Sequence, residues 1–139
     1  MSLKYKYVLF CEDIRQEIGG KVSLMGVLGS KLLTQQFPIG FPKLCLFIEW
    51  EDLVGKANIA VNIFAVNILP PEGTDIPNIR PTAQISGQPG IVARSMIILN
   101  NFIFPKPGNY AFEFEADGKV VGRENFVVEE YKGPMGTIN

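Results

Sequence analysis

Residues 110–128 read YAFEFEADGKVVGRENFVV, two alternating runs joined by an Asp-Gly pair. The three aromatic residues of the first run share one face of a strand, because successive side chains point to opposite faces. An Asp-Gly pair supplies the positive φ angles that a two-residue hairpin turn requires. The stretch therefore predicts a β-hairpin in which Ala116 lies opposite Lys119.

The second run fits this hairpin only with one irregularity. Regular pairing would place Phe112 opposite Arg123 and would turn Phe126 and Val128 away from the face of Phe112. A one-residue β-bulge near Gly122 returns both side chains to that face. We therefore predict a bulge at this position.

The rest of the chain also consists of short apolar runs between turn signals. Ile, Val and Phe number 36 against 7 Ala, a ratio that favours strands. Further strands are predicted at 5–11, 21–28, 31–37, 44–51, 57–66, 82–88 and 93–100. Residues 12–18 are predicted to form a loop or a single helical turn, and residues 82–88 a short edge strand.

The runs 44–51 and 57–66 alternate most clearly. They are predicted to form a hairpin at the centre of one sheet. Trp50 shares a face with Leu44, Leu46 and Ile48, which favours core packing over an exposed carbohydrate platform.

About nine short strands without a convincing helix predict an all-β fold, an antiparallel β-sandwich of about eight or nine strands in two sheets. Residues 1–130 are predicted to form this single domain. Residues 131–139 contain two glycines and a proline and are predicted to form a flexible C-terminal tail.

The charge balance excludes several classes of function. There are 13 basic and 14 acidic residues and no histidine. A net charge of −1 gives no reason to expect nucleic acid or an anionic membrane as a partner. Every mechanism that needs an imidazole base or a histidine-ligated metal is excluded.

The two cysteines, Cys11 and Cys45, lie in strand-like runs and are interpreted as reduced, buried and inert thiols. A disulfide would need the strands that contain them to be neighbours. Two cysteines without histidine do not close a tetrahedral zinc site. We therefore expect no metal and no cofactor.

No apolar run approaches the ~18 residues of a membrane span. The amino terminus also lacks the pattern of a signal peptide. We expect a cytoplasmic protein.

The remaining conventional catalytic groups are carboxylates. Glu49, Glu51 and Asp52 cluster at the end of one predicted strand, and two carboxylates in different environments can divide acid and base roles. The alternative interpretation is a solvated strand face or a charged edge. A Ca²⁺ site built from the same acids lacks the usual Asp-x-Asp-x-Asp-Gly spacing.

The proline-rich segment 67–81 is the best interaction candidate, because a stiff extended backbone loses little entropy on docking. The alternative interpretation is a crossover between the two sheets that proline holds rigid. Two phenylalanines that flank another loop could form a second contact patch or plug one end of the sandwich. The candidate contact residues are Pro70, Pro71, Glu72, Asp75, Ile76, Pro77, Arg80, Phe37 and Phe41.

Two resemblances support this fold. The segment FPKPGNYAF at 104–112, followed by Asp-Gly, resembles the penultimate hairpin of immunoglobulin-like domains, in which a tyrosine such as Tyr110 packs as a corner. Trp50 is similar to the buried tryptophan of that fold, while the cysteine pair of antibody domains is absent. The resemblance implies an immunoglobulin-like β-sandwich.

The amino-terminal segments YVLFCED at 7–13, GGK at 19–21 and SLMGV at 23–27 resemble an uncharacterised bacterial family of small cytoplasmic sandwich proteins. The resemblance implies a fold and supplies no catalytic residues. The sequence thus favours a non-catalytic binding or assembly module with a protein partner or a second copy of itself. The alternative is a carboxylate-based hydrolase using Glu49 with Glu51 or Asp52.

Overall fold

A computed structural model describes residues 3–66 and 80–132. These residues form nine strands and no helix, so none of their segments is a helix that could span a membrane. The strands are β1 (Lys4–Gln16), β2 (Val22–Leu28), β3 (Lys31–Thr34), β4 (Ile39–Glu51), β5 (Gly55–Val66), β6 (Thr82–Gly87), β7 (Ala93–Phe104), β8 (Gly108–Ala116) and β9 (Lys119–Glu130).

The strands form two sheets. One sheet has four strands in the order β2-β1-β4-β7, and the other has five in the order β3-β9-β8-β5-β6. All pairings are antiparallel except that of β3 with β9, which is parallel. The prediction of an all-β fold in two sheets is confirmed, and the sheets are mostly rather than wholly antiparallel.

The core lies between the two sheets. Trp50 and Leu44 from β4 face Phe112, Phe114 and other residues of the five-stranded sheet in a single buried cluster. The aromatic rings interlock edge to face, as with Phe10 and Phe112, whose centroids are 4.9 Å apart. Such pairs add to the hydrophobic stabilisation of the area they bury.

The hairpin prediction is confirmed in detail. Ala116 pairs with Lys119, and the register shifts between Phe114 and Glu115, which oppose Gly122 and Val120 respectively. The extra residue is Val121, adjacent to the predicted position. The turn is also tied to β5, since the Asp117 carboxylate accepts a 2.9 Å hydrogen bond from the backbone nitrogen of Asn58.

The predicted hairpin of 44–51 with 57–66 is wrong. β4 pairs with β1 and β7, whereas β5 lies in the other sheet between β8 and β6. The connection changes sheets because Asp52 and Gly55 adopt positive φ angles while Leu53 turns into the core. Alternation alone cannot distinguish a hairpin from a crossing between sheets.

Several strand boundaries also differ from the predictions. β1 continues through most of the segment predicted to be loop and ends at Gln16, because that part pairs with β2. β7 continues past Asn100 to Phe104, alongside the start of β4. β6 is the edge strand that was predicted. The tail prediction for 131–139 lies, apart from Tyr131 and Lys132, outside the described residues.

Candidate functional site

The structure divides the predicted carboxylate cluster. The Glu49 carboxylate accepts hydrogen bonds from Arg94 Nε at 3.3 Å and from the Tyr7 hydroxyl at 3.2 Å. Lys6 Nζ lies 3.8 Å from its other oxygen. Burial is the main cause that raises the pKa of the Tyr7 hydroxyl, and the hydrogen bond to Glu49 is the second. Glu49 is thus held by two cations, whereas Glu51 and Asp52 lie elsewhere.

Glu51 and Asp52 line an open cleft of about 710 Å³ at one end of the sandwich. Its charged lining residues are Lys4, Lys56, Lys119, Glu51, Asp52 and Asp117. Three cations and three anions leave the cleft without a net field for a charged ligand. Within the described part of the chain, no group of three or more acidic, cysteine or histidine residues could hold a metal ion.

Phe37 and Phe41 belong to the core. Phe41 is buried, and its ring lies 6.0 Å from that of Phe104 in an edge-to-face contact. Phe37 is partly buried and packs against the same cluster. This placement agrees with the interpretation that the two rings plug one end of the sandwich.

The candidates Pro70, Pro71, Glu72, Asp75, Ile76 and Pro77 lie outside the described residues. Arg80 is described, and it lies across the outer surface of the five-stranded sheet. Its Nε donates to Asn62 Oδ1 at 3.0 Å, and its Nη2 lies 3.3 Å from the Glu115 carboxylate. Asn62 also donates to Glu115, and this bond is the largest cause that lowers the pKa of Glu115. These contacts of Arg80 therefore hold the residues just before β6 against the outer surface of the five-stranded sheet.

The outer surface of the four-stranded sheet carries a patch that sequence reasoning missed. We call it the apolar face. Its residues are Tyr7, Leu9, Cys11, Met25, Val27, Cys45, Phe47, Met96 and Ile98. Val27 is 55% exposed, Ile98 47% and Tyr7 37%, whereas Phe47 beneath the stacked Tyr7 ring is buried.

Charged groups lie only at the two ends of the apolar face. At one end Lys43 Nζ is 3.6 Å from the Asp13 carboxylate. At the other end Glu49 is paired with Lys6 and Arg94. An apolar centre with a polar rim is the usual composition of a protein–protein contact surface.

A row of four residues crosses the centre of this face. Cys11 lies opposite Val27 on one side and Cys45 on the other, and Cys45 lies opposite Ile98. The neighbouring strands that a disulfide would need are therefore present, and both thiols are free and buried. Burial raises the pKa of the Cys11 thiol to about 11 and is also the main cause that raises the pKa of Cys45. Both thiols are protonated at neutral pH, which makes them poor nucleophiles.

The sequence contains one signal for the apolar face. Cys45 and Phe47 lie on the opposite side of β4 from Trp50, so this strand is apolar on both sides. A strand that is apolar on both sides is typical of a sheet whose two faces are both covered.

The edges of the sheets differ in length and protection. β3 has four residues, β6 has six, and β2 has seven with Gly26 at positive φ. β7 has twelve residues, ARSMIILNNFIF, with one charge, no proline and Asn101 at positive φ near its end. Among the described residues its backbone pairs with β4 alone.

Comparison with known protein families gives one match. The model of a family of unknown function, DUF6941, matches residues 6–129. No curated protein matches the chain. The match spans all nine strands except the first two residues of β1 and the last residue of β9. The chain therefore belongs to this family of unknown function.

Proposed function

We propose that this member of the DUF6941 family is a non-catalytic assembly module that pairs with a second copy of itself along β7. In this proposal β7 of one copy lies antiparallel to β7 of the other. The two four-stranded sheets then form one continuous sheet of eight strands. Self-association needs no cofactor, and the protein works in the cytoplasm, a location that its two free cysteines support.

The observation that carries the proposal is the long edge of β7, which pairs with β4 alone among the strands that the structure describes. Long edge strands offer a row of unpaired N–H and C=O groups, and proteins usually interrupt them with charges, prolines or bulges. β7 has Arg94 near one end and Asn101 at positive φ near the other, and Ile98 and Ile103 are 47% and 44% exposed. An edge of this kind is suited to pairing with another strand.

The charge distribution favours a second copy in the antiparallel orientation. Arg94 lies next to the first residue of the strand, so antiparallel pairing separates the two arginines by about 30 Å. Parallel pairing would place them side by side, and like charges directly opposite each other are destabilising.

The apolar face contributes its margin on β7 to the same contact. Met96 and Ile98 belong both to this face and to β7. Pairing along β7 therefore joins the two apolar faces into one surface, with Ile98 near its centre. Homodimer interfaces are usually more apolar than the rest of a protein surface.

The fold that we propose for this module is immunoglobulin-like. If β4 is strand B of the immunoglobulin fold, then β5 to β9 correspond to strands C, C′, E, F and G in that order. The pairing of β4 with β7 then matches that of B with E, and the order β6-β5-β8-β9 matches C′-C-F-G. The Tyr110 hydroxyl donates a 2.6 Å hydrogen bond to the Lys106 carbonyl, as a tyrosine corner does. Trp50 departs from the pattern, because it lies on β4 rather than on β5.

The alternative, a carboxylate hydrolase, would use the cleft that Glu51 and Asp52 line. Glu49 does not line this cleft. Replacing both lining acids by amides, Glu51→Gln with Asp52→Asn, leaves self-association unchanged in our proposal. Loss of a hydrolytic activity in this variant would support the alternative instead.

Analytical ultracentrifugation over a concentration series tests the proposal. We expect a dimer for the native chain and a monomer for Ile98→Lys, because a lysine on the edge opposes strand pairing. The matched control is Val120→Lys, at a 60% exposed valine of the other sheet, which should remain dimeric. A native monomer at all concentrations, or a dimer that Ile98→Lys leaves intact, would overturn the proposal.

A further inference from the structure

Each strand of the four-stranded sheet places one sulfur-containing side chain on the apolar face. β2 contributes Met25, β1 contributes Cys11, β4 contributes Cys45 and β7 contributes Met96. The described residues contain no other cysteine or methionine. All of their sulfur atoms thus lie on one side of one sheet.

The two thiols are at the centre of this arrangement. Cys11 and Cys45 are directly opposite each other on β1 and β4, where Cβ atoms are usually about 4.5–5.5 Å apart. Burial, and then the nearby Cys45, raise the pKa of the Cys11 thiol. Both residues have no exposed surface. The two thiols are therefore cross-strand neighbours at a place that solvent does not reach.

The two thioethers flank the thiols. Val27 of β2 lies directly opposite Cys11, and Met25 is the next residue of β2 on the same face. Met25 is therefore a diagonal neighbour of Cys11. Ile98 of β7 lies directly opposite Cys45, and Met96 is the neighbouring residue of β7 on the same face. Met96 is therefore a diagonal neighbour of Cys45. Diagonal neighbours lie within reach of long side chains. Both methionines are partly buried, and their flexible side chains can turn toward the thiols.

We propose that Cys11 and Cys45 bind one Cu(I) ion between their thiolates, with the thioether of Met25 or Met96 as a third ligand. Thiolate and thioether ligands select Cu(I) over harder cations. Zinc would need four ligands, and no cluster of three or more histidine, cysteine or acidic side chains among the described residues could supply them.

Binding displaces protons but needs no oxidant. One Cu⁺ ion replaces the two thiol protons, which leave to solvent, and the two-thiolate complex carries one negative charge. Lys43 and Asp13 are the charged groups near the thiols, and they are paired to each other at 3.6 Å. The Lys43 ammonium favours the thiolate form of Cys45 and partly offsets the charge of the complex.

The test is an anaerobic competition between the reduced protein and a chromogenic Cu(I) chelator. We expect one Cu(I) per chain, with an affinity at least about 100-fold lower in Cys11→Ser and in Cys45→Ser. Met25→Leu and Met96→Leu preserve side-chain size, and one of them should weaken binding by about 10-fold. Binding that survives both serine variants, or no binding at one equivalent, would overturn the proposal.

X-ray absorption of the native protein with one equivalent of Cu(I) gives a readout that does not depend on the folding of any variant. Two or three Cu–S contacts are expected, and a shell of nitrogen or oxygen neighbours would contradict the site. Zn²⁺ added in excess should not displace the Cu(I). The proposal does not depend on self-association, because all of these ligands come from one chain.

Discussion

The indole nitrogen of Trp50 donates a 2.9 Å hydrogen bond to Oγ of Ser95, inside the core between the two sheets. Ser95 is the one buried polar side chain among the described residues. A buried N–H without a partner costs free energy, so the serine allows a tryptophan to occupy this place. The bond also links β7 to β4 from within the core.

Ser95→Ala should lower the free energy of unfolding by about 1–3 kcal/mol, because it leaves the Trp50 nitrogen without an acceptor. Urea denaturation followed by tryptophan fluorescence measures this change, since Trp50 is the only tryptophan. The control is Ser86→Ala at an exposed position of β6, which should change stability by less than about 0.5 kcal/mol. Equal effects of the two substitutions would contradict the role of the buried bond.

Gly122→Ala should also be destabilising, because a Cβ at this position would overlap the hydroxyl of Tyr5. The Tyr5 ring is fixed by edge contacts with Trp50 and Phe114 and by a 2.9 Å hydrogen bond to Glu124. We expect a loss of about 1–3 kcal/mol in thermal or urea unfolding.

The matched control for this substitution is Gly29→Ala. A Cβ at Gly29 meets no atom within 4 Å, and its φ angle is not positive. This variant should therefore unfold like the native chain. A Gly122→Ala protein of native stability would show that Tyr5 can move aside.

Stability should fall as the pH rises above 9. Burial raises the pKa of Cys11 from the ordinary value of 9.0 to about 11, and burial also raises the pKa of Tyr5 and of Tyr110. Between pH 9 and about 11 the unfolded chain releases the Cys11 proton while the folded chain keeps it. The folded state then binds more protons than the unfolded state, so the free energy of unfolding decreases with pH.

Urea denaturation at intervals from pH 7 to pH 11 measures this dependence. Cys11→Ser should reduce the slope between pH 9 and 11, whereas the contribution of the tyrosines above pH 10 should remain. A free energy of unfolding that is constant or increasing above pH 9 would be inconsistent with buried, protonated thiols.

Local features of the fold were predictable from the sequence. The hairpin around Asp117 and the bulge at Val121 follow from alternation and turn chemistry within about twenty residues. The connection between β4 and β5 was not predictable in this way. Whether Leu53 turns into the core depends on which sheet lies opposite, and the local sequence around Leu53 does not indicate that sheet.

The candidate site depends on strand order, and this explains why the sequence did not reveal it. Cys11 and Cys45 are 34 positions apart and become neighbours only because β1 pairs with β4. The exposed edge of β7 likewise exists only because no other described strand follows it in its sheet. Pairings between distant strands are not encoded in the alternation of any one strand.

The measurement that most directly tests pairing along β7 is backbone hydrogen exchange at low and high protein concentration, analysed by peptide. In our account, exchange in Ala93–Phe104 slows as the concentration rises, and exchange in β2, β3 and β6 is unchanged. Exchange in β7 that does not depend on concentration, or new protection confined to another edge strand, would contradict the account.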